Sequence, residues 1–270
     1  MSAETEAPSD VSASIAEFLR DTRAIADVEM RKLLRDPTEL FSRAVQPVLW
    51  LAVFGQVFGR VRGIPIGEVS YLAFMTPGIL GQSVLFSAIF YGIAVIWERD
   101  LGVVHKLLVS PASRGALVCG KAVSSAFRGV LQAAVVYAVA LALSIDIHWQ
   151  PVAIFGVAIG VMLGSAIFST FSLIIACLVK TRERFMGIGQ LLTMPLFFAS
   201  NALYPIELMP DWLKAFAQIN PLTYLVDLLR GLMIVGGHSA HGAIVNFGMM
   251  GLAFVLLLVI AAKLYPSLVQ

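Results

Sequence analysis

The chain has 270 residues, of which 59% are hydrophobic and 13% charged, with a formal net charge of +2 and a mean hydropathy of +0.86. That composition leaves too little polar surface for a water-soluble fold, and its apolar residues fall in blocks near the ~20 residues that cross ~30 Å of hydrocarbon. It also excludes an outer-membrane β-barrel, whose strands alternate in polarity over ~10 residues, because a run such as 255–262 is apolar on every face.

The expected class is therefore an all-α polytopic membrane protein. Residues 1–13 are rich in Ser, Ala, Glu, Asp and Pro without an apolar pattern and read as a disordered tail. Over residues 14–36, Ile15, Phe18, Ile25 and Val28 recur at helical spacing among charges, which predicts an amphipathic helix lying in the membrane interface. Asp36-Pro37 ends it. Residues 37–270 form one transmembrane domain, with spans at about 40–59, 71–97, 122–145, 152–179, 185–204 and 244–264. The first 40 residues hold no apolar stretch behind a basic start, so the first span is expected to direct insertion without a cleavable signal.

Between the second and third spans, residues 98–109 are too short and too charged to cross. They predict a short helix that puts Leu101, Val104 and Leu108 on one face, with Glu98 and Asp100 at its N-terminus and Lys106 further along, as the helix dipole favours. Ser110-Pro111 stops it. Between the fifth and sixth spans, residues 210–219 and 221–233 predict two interfacial or re-entrant helices. Asn220 caps the second, Pro221 takes its first position, and Trp212 and Tyr224 suit the headgroup region. Helix breakers sit inside several spans: Pro47, Pro77-Gly78, Gly81 and Pro195.

Orientation follows from Lys and Arg, which are retained on the cytoplasmic side. Arg20, Arg23, Arg31, Lys32, Arg35, Arg43, Arg99, Lys106, Arg114, Lys121, Arg128, Lys180, Arg182, Arg184 and Lys263 fall on one side of these spans. Only Arg60, Arg62, Lys214 and Arg230 fall on the other. Both termini are thus expected in the cytoplasm, in the plasma (bacterial inner) membrane. Cys119 and Cys177 then lie where thiols stay reduced and read as small buried residues.

Residues 115–122, Gly-Ala-Leu-Val-Cys-Gly-Lys-Ala, superficially match a phosphate-binding loop. Ala122 lacks the hydroxyl that would hold Mg2+, and the segment follows a helix where a strand is required, so no nucleotide site is expected. His238 and His241 lack a third ligand nearby, and no catalytic triad or paired carboxylates lie at membrane depth. The span centres carry no ionisable residue, which counts against a proton- or sodium-coupled carrier. They do carry neutral polarity at Gln56, Gln82, Ser83, Ser87, Ser169, Gln190 and Asn201, and aromatic rings at Tyr91, Phe197 and Phe198. These are candidates to line a substrate path, against the plainer reading of hydrogen bonding between helices.

Two stretches resemble a known family. Residues 98–121, with Glu98-Arg99-Asp100, Leu107-Leu108, Pro111, Arg114 and Gly120-Lys121, look like the segment around the coupling helix of ABC-2 type ABC-transporter permeases. Residues 201–230, with Asn201, Tyr204-Pro205, Met209-Pro210, Trp212, Asn220-Pro221, Tyr224, Asp227 and Arg230, look like that family's hairpin before its last helix. Within the family the chain looks most like the daunorubicin-type drug-resistance exporters. The resemblance implies the membrane subunit of an exporter, without an ATP site of its own. It implies two copies of a separate ABC ATPase that bind ATP and Mg2+, and a second permease copy, identical or closely related. It also implies that Glu98, Arg99, Leu101, Val104, His105, Leu108 and Arg114 meet the ATPase. A drug or lipid-like cargo suits the apolar spans; family members that export polysaccharide are the alternative. A secondary transporter with inverted repeats, or a channel, is the competing class, but the two halves share no residue-level similarity.

Overall fold

A computed structural model describes residues 11–35, 45–58, 69–109 and 113–269. Ten helices appear among them: α1 Val11–Arg35, α2 45–58, α3 Tyr71–Asp100, α4 Val103–Val109, α5 Arg114–Ala142, α6 Pro151–Leu178, α7 Arg182–Phe198, α8 Asp211–Ile219, α9 Pro221–Met233 and α10 Ala243–Leu264. A π-helical turn, Trp50–Phe54, interrupts α2. No strand forms among the described residues; one antiparallel bridge joins Ile147 to Ile234. The tail, the Asp36-Pro37 break and the Ser110-Pro111 stop lie wholly or largely outside the described residues, as do the side chains of Gln56, His105 and Leu108.

Among the described residues, four helices are long and apolar enough to cross a membrane: α3, α5, α6 and α10 with its 3-10 extension. Of the other two expected spans, the first is described only over 45–58, and the fifth is the 17-residue α7. Helix α7 stops six residues before the expected end at 204, where the Ala199 N–H closes on Pro195 and the Ser200 hydroxyl turns back to the Phe197 carbonyl. Helix α5 starts eight residues before the expected 122, because Ser113 caps it by accepting the Ala116 N–H at 3.2 Å. The segment 115–122 is therefore continuous helix.

Helix α3 is the axis of the bundle. Ser70 caps it, and 20 of its 30 residues are buried, on every side of the helix. Gly78 makes one contact possible, since a Cβ there would lie inside the backbone of Ala202. Helix α6 carries Gly156, Gly160 and Gly164 four residues apart, on one face. Leu232, Leu228 and Leu225 of α9 fill the three gaps, with hypothetical Cβ positions 2.9, 2.8 and 2.6 Å from their methyl groups. Small residues are what allow close helix approach in lipid, where packing must hold helices together because no hydrophobic force drives them into contact.

Helix α9 is consequently surrounded by α3, α6 and α10, and every residue from Leu222 to Arg230 is buried. Helix α9 is thus an internal helix of the bundle. Asn220 and Pro221 begin it as expected: the Asn220 side chain accepts the Leu222 N–H at 3.0 Å and donates to the Leu196 and Ala199 carbonyls at 2.7 and 2.9 Å. Helix α8 stays on the surface, with Trp212, Phe216 and Ile219 exposed.

Candidate functional site

At the end of the bundle where α3 runs out, three distant segments meet around one ammonium group. Lys121 on α5 lies 2.6 Å from a carboxylate oxygen of Glu98 on α3 and 3.6 Å from one of Glu29 on α1. Their side chains are 5%, 14% and 7% exposed. An ammonium taken this far from water persists only with counter-charge at hand, and two carboxylates supply it. The ring of Tyr91, one α-helical stretch above Glu98 on α3, carries the Arg128 guanidinium 5.0 Å and the Lys121 ammonium 5.7 Å from its centroid. Gly120 lets α1 come close enough, because a Cβ there would lie 2.6 Å from the Ile25 Cβ. The expected amphipathic helix thus packs on α5 through Phe18 and Ile25, while Val28, expected on the same face, is exposed.

A second tie secures the α6–α7 connection. Arg99 donates to the carbonyls of Val179 and Lys180 at 3.2 and 2.6 Å and pairs with Asp100 at 3.2 Å. Arg182 reaches Asp100 at 2.8 Å and stacks over Trp97 at 3.7 Å. Glu98 and Arg99, expected to contact a partner, are therefore engaged inside the chain.

The short helix also differs from its expected form. Residues 98–100 belong to α3, and Gly102, at φ +72°, turns the chain before α4 begins at Val103. Because the break falls after Leu101, helical spacing does not carry across it. Val104 is fully buried in a core with Val95, Leu117 and Val118, whereas Leu101 is 71% exposed and Val109 87%. The apolar residues left exposed here are Leu101, Val103 and Val109, and Arg114 is exposed as well.

The candidate path residues scatter. Gln82, Ser83, Ser87 and Tyr91 are buried on α3 and Ser169 is buried on α6, while Gln190 on α7 is exposed. Ser83 and Ser169 donate to the carbonyls of Ile79 and Ala166 on their own helices, at 2.8 and 3.2 Å. That favours the plainer reading of local hydrogen bonding for these two. Phe197 packs against Trp50 and Phe198. Tyr91 belongs to the charged cluster. Asn201 lies in the wall of a cavity of about 540 Å3 at the far end of the bundle.

Sequence reasoning missed two features. Arg128 sits 14 residues into α5, about 21 Å along it, and is 9% exposed. It lies near the middle of that helix, with its guanidinium over the Tyr91 ring. At the far end, Asp227 is 1% exposed. It accepts from the Asn246 side chain at 2.8 Å, the Ser239 hydroxyl at 2.7 Å and the N–H groups of Ala240 and His241 at 2.8 and 3.1 Å. Burial pushes its pKa up, but these four donors outweigh burial and hold it below the usual carboxylate range. The acidic residue visible in the sequence thus clamps the loop between α9 and α10.

Comparison with known proteins finds related membrane transport permeases. The sequence profile described as ABC-2 type transporter matches residues 20–234. Among curated relatives, the transport permease ycf38 of Cyanophora paradoxa is 30% identical over 74% of this chain and 70% of its own length. Nodulation protein J of Rhizobium leguminosarum bv. trifolii is 26% identical over 74% of each. The daunorubicin resistance ABC transporter permease protein DrrB1 of Streptomyces coeruleorubidus is 27% identical over 73% of this chain and 69% of its own.

Proposed function

Since this chain belongs to the ABC-2 type transporter family, we propose that it is the membrane subunit of an ATP-driven exporter in the bacterial inner membrane. It spans six times, with both termini in the cytoplasm, and pairs with a second permease copy. Two separate ATPase subunits dock beneath it and carry out the ATP chemistry. The observation that carries the reading is the exposure of the apolar residues Leu101, Val103 and Val109 at and just before α4, which Val104 seats on the core. A surface that transmits closure of a partner must itself resist bending; Val104 seats this one on Val95 of α3 and on Leu117 and Val118 of α5, and the buried charges tie those two helices to α1.

The cargo in this reading is a hydrophobic or amphiphilic molecule taken from the bilayer or cytoplasm. A groove of about 560 Å3 between α7 and α8, walled by Leu192, Pro195, Phe198, Trp212, Phe216 and Ile219, supports an apolar cargo.

The test is site-specific photocrosslinking in the native host, with benzoylphenylalanine at Leu101 or Val109 and, as a control, at the exposed Val152 of α6. The expected result is a crosslink from the first two positions, not the third, to a protein that binds ATP. Leu101→Asp and Val109→Asp should then release that subunit while the permease stays folded. Retention of the ATPase and of its transport-stimulated hydrolysis in both variants would overturn the docking assignment.

A further inference from the structure

Helix α1 packs on the first half of α5, and its acids are all answered within the chain. Arg20 pairs with Glu17 at 3.4 Å and with Asp21 at 3.8 Å, Arg31 pairs with Asp27 at 3.0 Å, and Glu29 turns inward to Lys121. Arg23 is exposed and makes no ion pair among the described residues. It is a surplus cation on a helix whose other charges largely cancel.

Arg23 stands in the wall of a crevice of about 510 Å3 between α1 and α5. Leu19, Ala26 and Met30 line the crevice from the same face of α1, and Val123 and Phe127 line it from α5. Asp27 lies there too, but Arg31 holds its carboxylate. Val123 and Phe127 are exposed, and the exposed Leu131, four residues further on, continues their stripe. An open apolar track therefore runs about 12 Å along α5 from the crevice into the span.

A cation at the mouth of an apolar crevice fits an amphiphile with a negative head. A phosphodiester suits the guanidinium, whose fork meets two oxygens at once, and an acyl chain covers the track. In a zwitterionic head group the ammonium beside the phosphate repels Arg23 and finds every carboxylate of α1 already paired. A soluble protein could reach Arg23 but could not follow the track to Leu131, because α5 is a helix long and apolar enough to cross the membrane.

We propose that the crevice between α1 and α5 is a binding site for one anionic phospholipid, its phosphate on Arg23 and an acyl chain along Val123, Phe127 and Leu131. This lipid is a resident of the fold, separate from any cargo, since its crevice shares no residue with the groove between α7 and α8. It bridges the helix that carries Glu29 to the helix that carries Lys121. Binding needs no ATPase, so this site and the docking of a partner on α4 can fail separately.

The test uses the full chain, delipidated in a non-ionic detergent, with dioleoylphosphatidylglycerol and dioleoylphosphatidylcholine as probes and native mass spectrometry to count lipids bound per chain. The expected result is one tightly held phosphatidylglycerol, preferred over phosphatidylcholine about fivefold, the worth of one arginine beside an anionic lipid. Arg23→Gln should abolish the preference. Arg35→Gln removes the same charge from an exposed position on the same helix, outside the crevice, and should preserve it. Phe127→Ser should weaken both lipids alike, because it interrupts the track and leaves the head-group contact. These three side chains are exposed, so unchanged elution profiles are expected. In native membranes, benzoylphenylalanine at Val123 should carry a phospholipid adduct. Equal affinity of the wild type for the two lipids, a loss of preference in Arg35→Gln as large as in Arg23→Gln, or an adduct at Val123 to a second copy or another protein would overturn the proposal.

Discussion

Replacing Lys121 by methionine keeps much of the side chain's length and removes its charge. The substitution forfeits the 2.6 Å contact to Glu98 and the 3.6 Å contact to Glu29, and leaves two carboxylates facing each other behind α1. At an effective dielectric constant of about 20 the two attractions amount to about 6 and 5 kcal/mol before desolvation is counted. The ammonium also costs several kcal/mol to dehydrate, and that cost disappears with it. Breaking one side of such a buried cluster leaves a net loss of about 3–5 kcal/mol, a fall of roughly 10 °C in Tm for a chain of this size. The assay is size-exclusion chromatography of the detergent-solubilised protein after heating in steps. Glu98→Gln should be destabilising alone and should cost less when Lys121 is already methionine, with a coupling of about 2 kcal/mol in the double-mutant cycle. A coupling below about 0.5 kcal/mol, or a Lys121→Met protein as heat-stable as wild type, would refute the reasoning that this cluster holds α1 and α3 to α5.

Other consequences follow from individual contacts. Gly78→Ala places a methyl group against the Ala202 backbone, which has no rotamer by which to yield, so a loss of about 2–3 kcal/mol is expected. Gly248→Ala on α10 meets nothing within 4 Å and should change stability by less than about 1 kcal/mol in the same heating assay. Asn220→Ala removes a helix cap and two ties to the end of α7, for about 1–2 kcal/mol and faster amide exchange over 196–199. Because the folded pKa of Asp227 is depressed, its clamp stabilises the fold fully above the unfolded carboxylate value of about 3.9 and loses that contribution as pH falls through the folded one. Intrinsic-rate-corrected exchange of the Ala240 and His241 amides should stay flat between pH 5 and 8 and rise only below about pH 4. Asp227→Asn should show the fast rate at every pH.

Much of this molecule was legible from local pattern. Apolar blocks of membrane length fixed α3, α6 and α10 to within three residues of their expected ends, because a helix in hydrocarbon must satisfy its own backbone and has little choice of length. Asn220-Pro221 announced the start of α9, since capping depends on two adjacent residues alone. The motif around residues 98–121 and the one around 201–230 both lie within the family match. The repeat Gly156, Gly160, Gly164 was also present to be read, as a small-residue stripe that leaves room for a partner helix.

What only the tertiary structure decided is what each polar group answers to. Glu29, Glu98 and Lys121 are separated by 69 and 23 positions, so no window of sequence holds their pairing, and Lys121 looked like one more cytoplasmic charge. Gly102 was equally visible, but whether the chain bends there or continues as helix depends on whether Val104 gains more by turning into the core than by staying on a stripe with Leu101. Arg230 and Asn201 read as ordinary members of a hairpin until folding buried both and joined the guanidinium to the Asn201 carbonyl. Length and hydropathy are properties of segments, and the sequence states them directly. Pairing of buried charge and polarity is a property of the space between segments, and it exists only once the helices have packed.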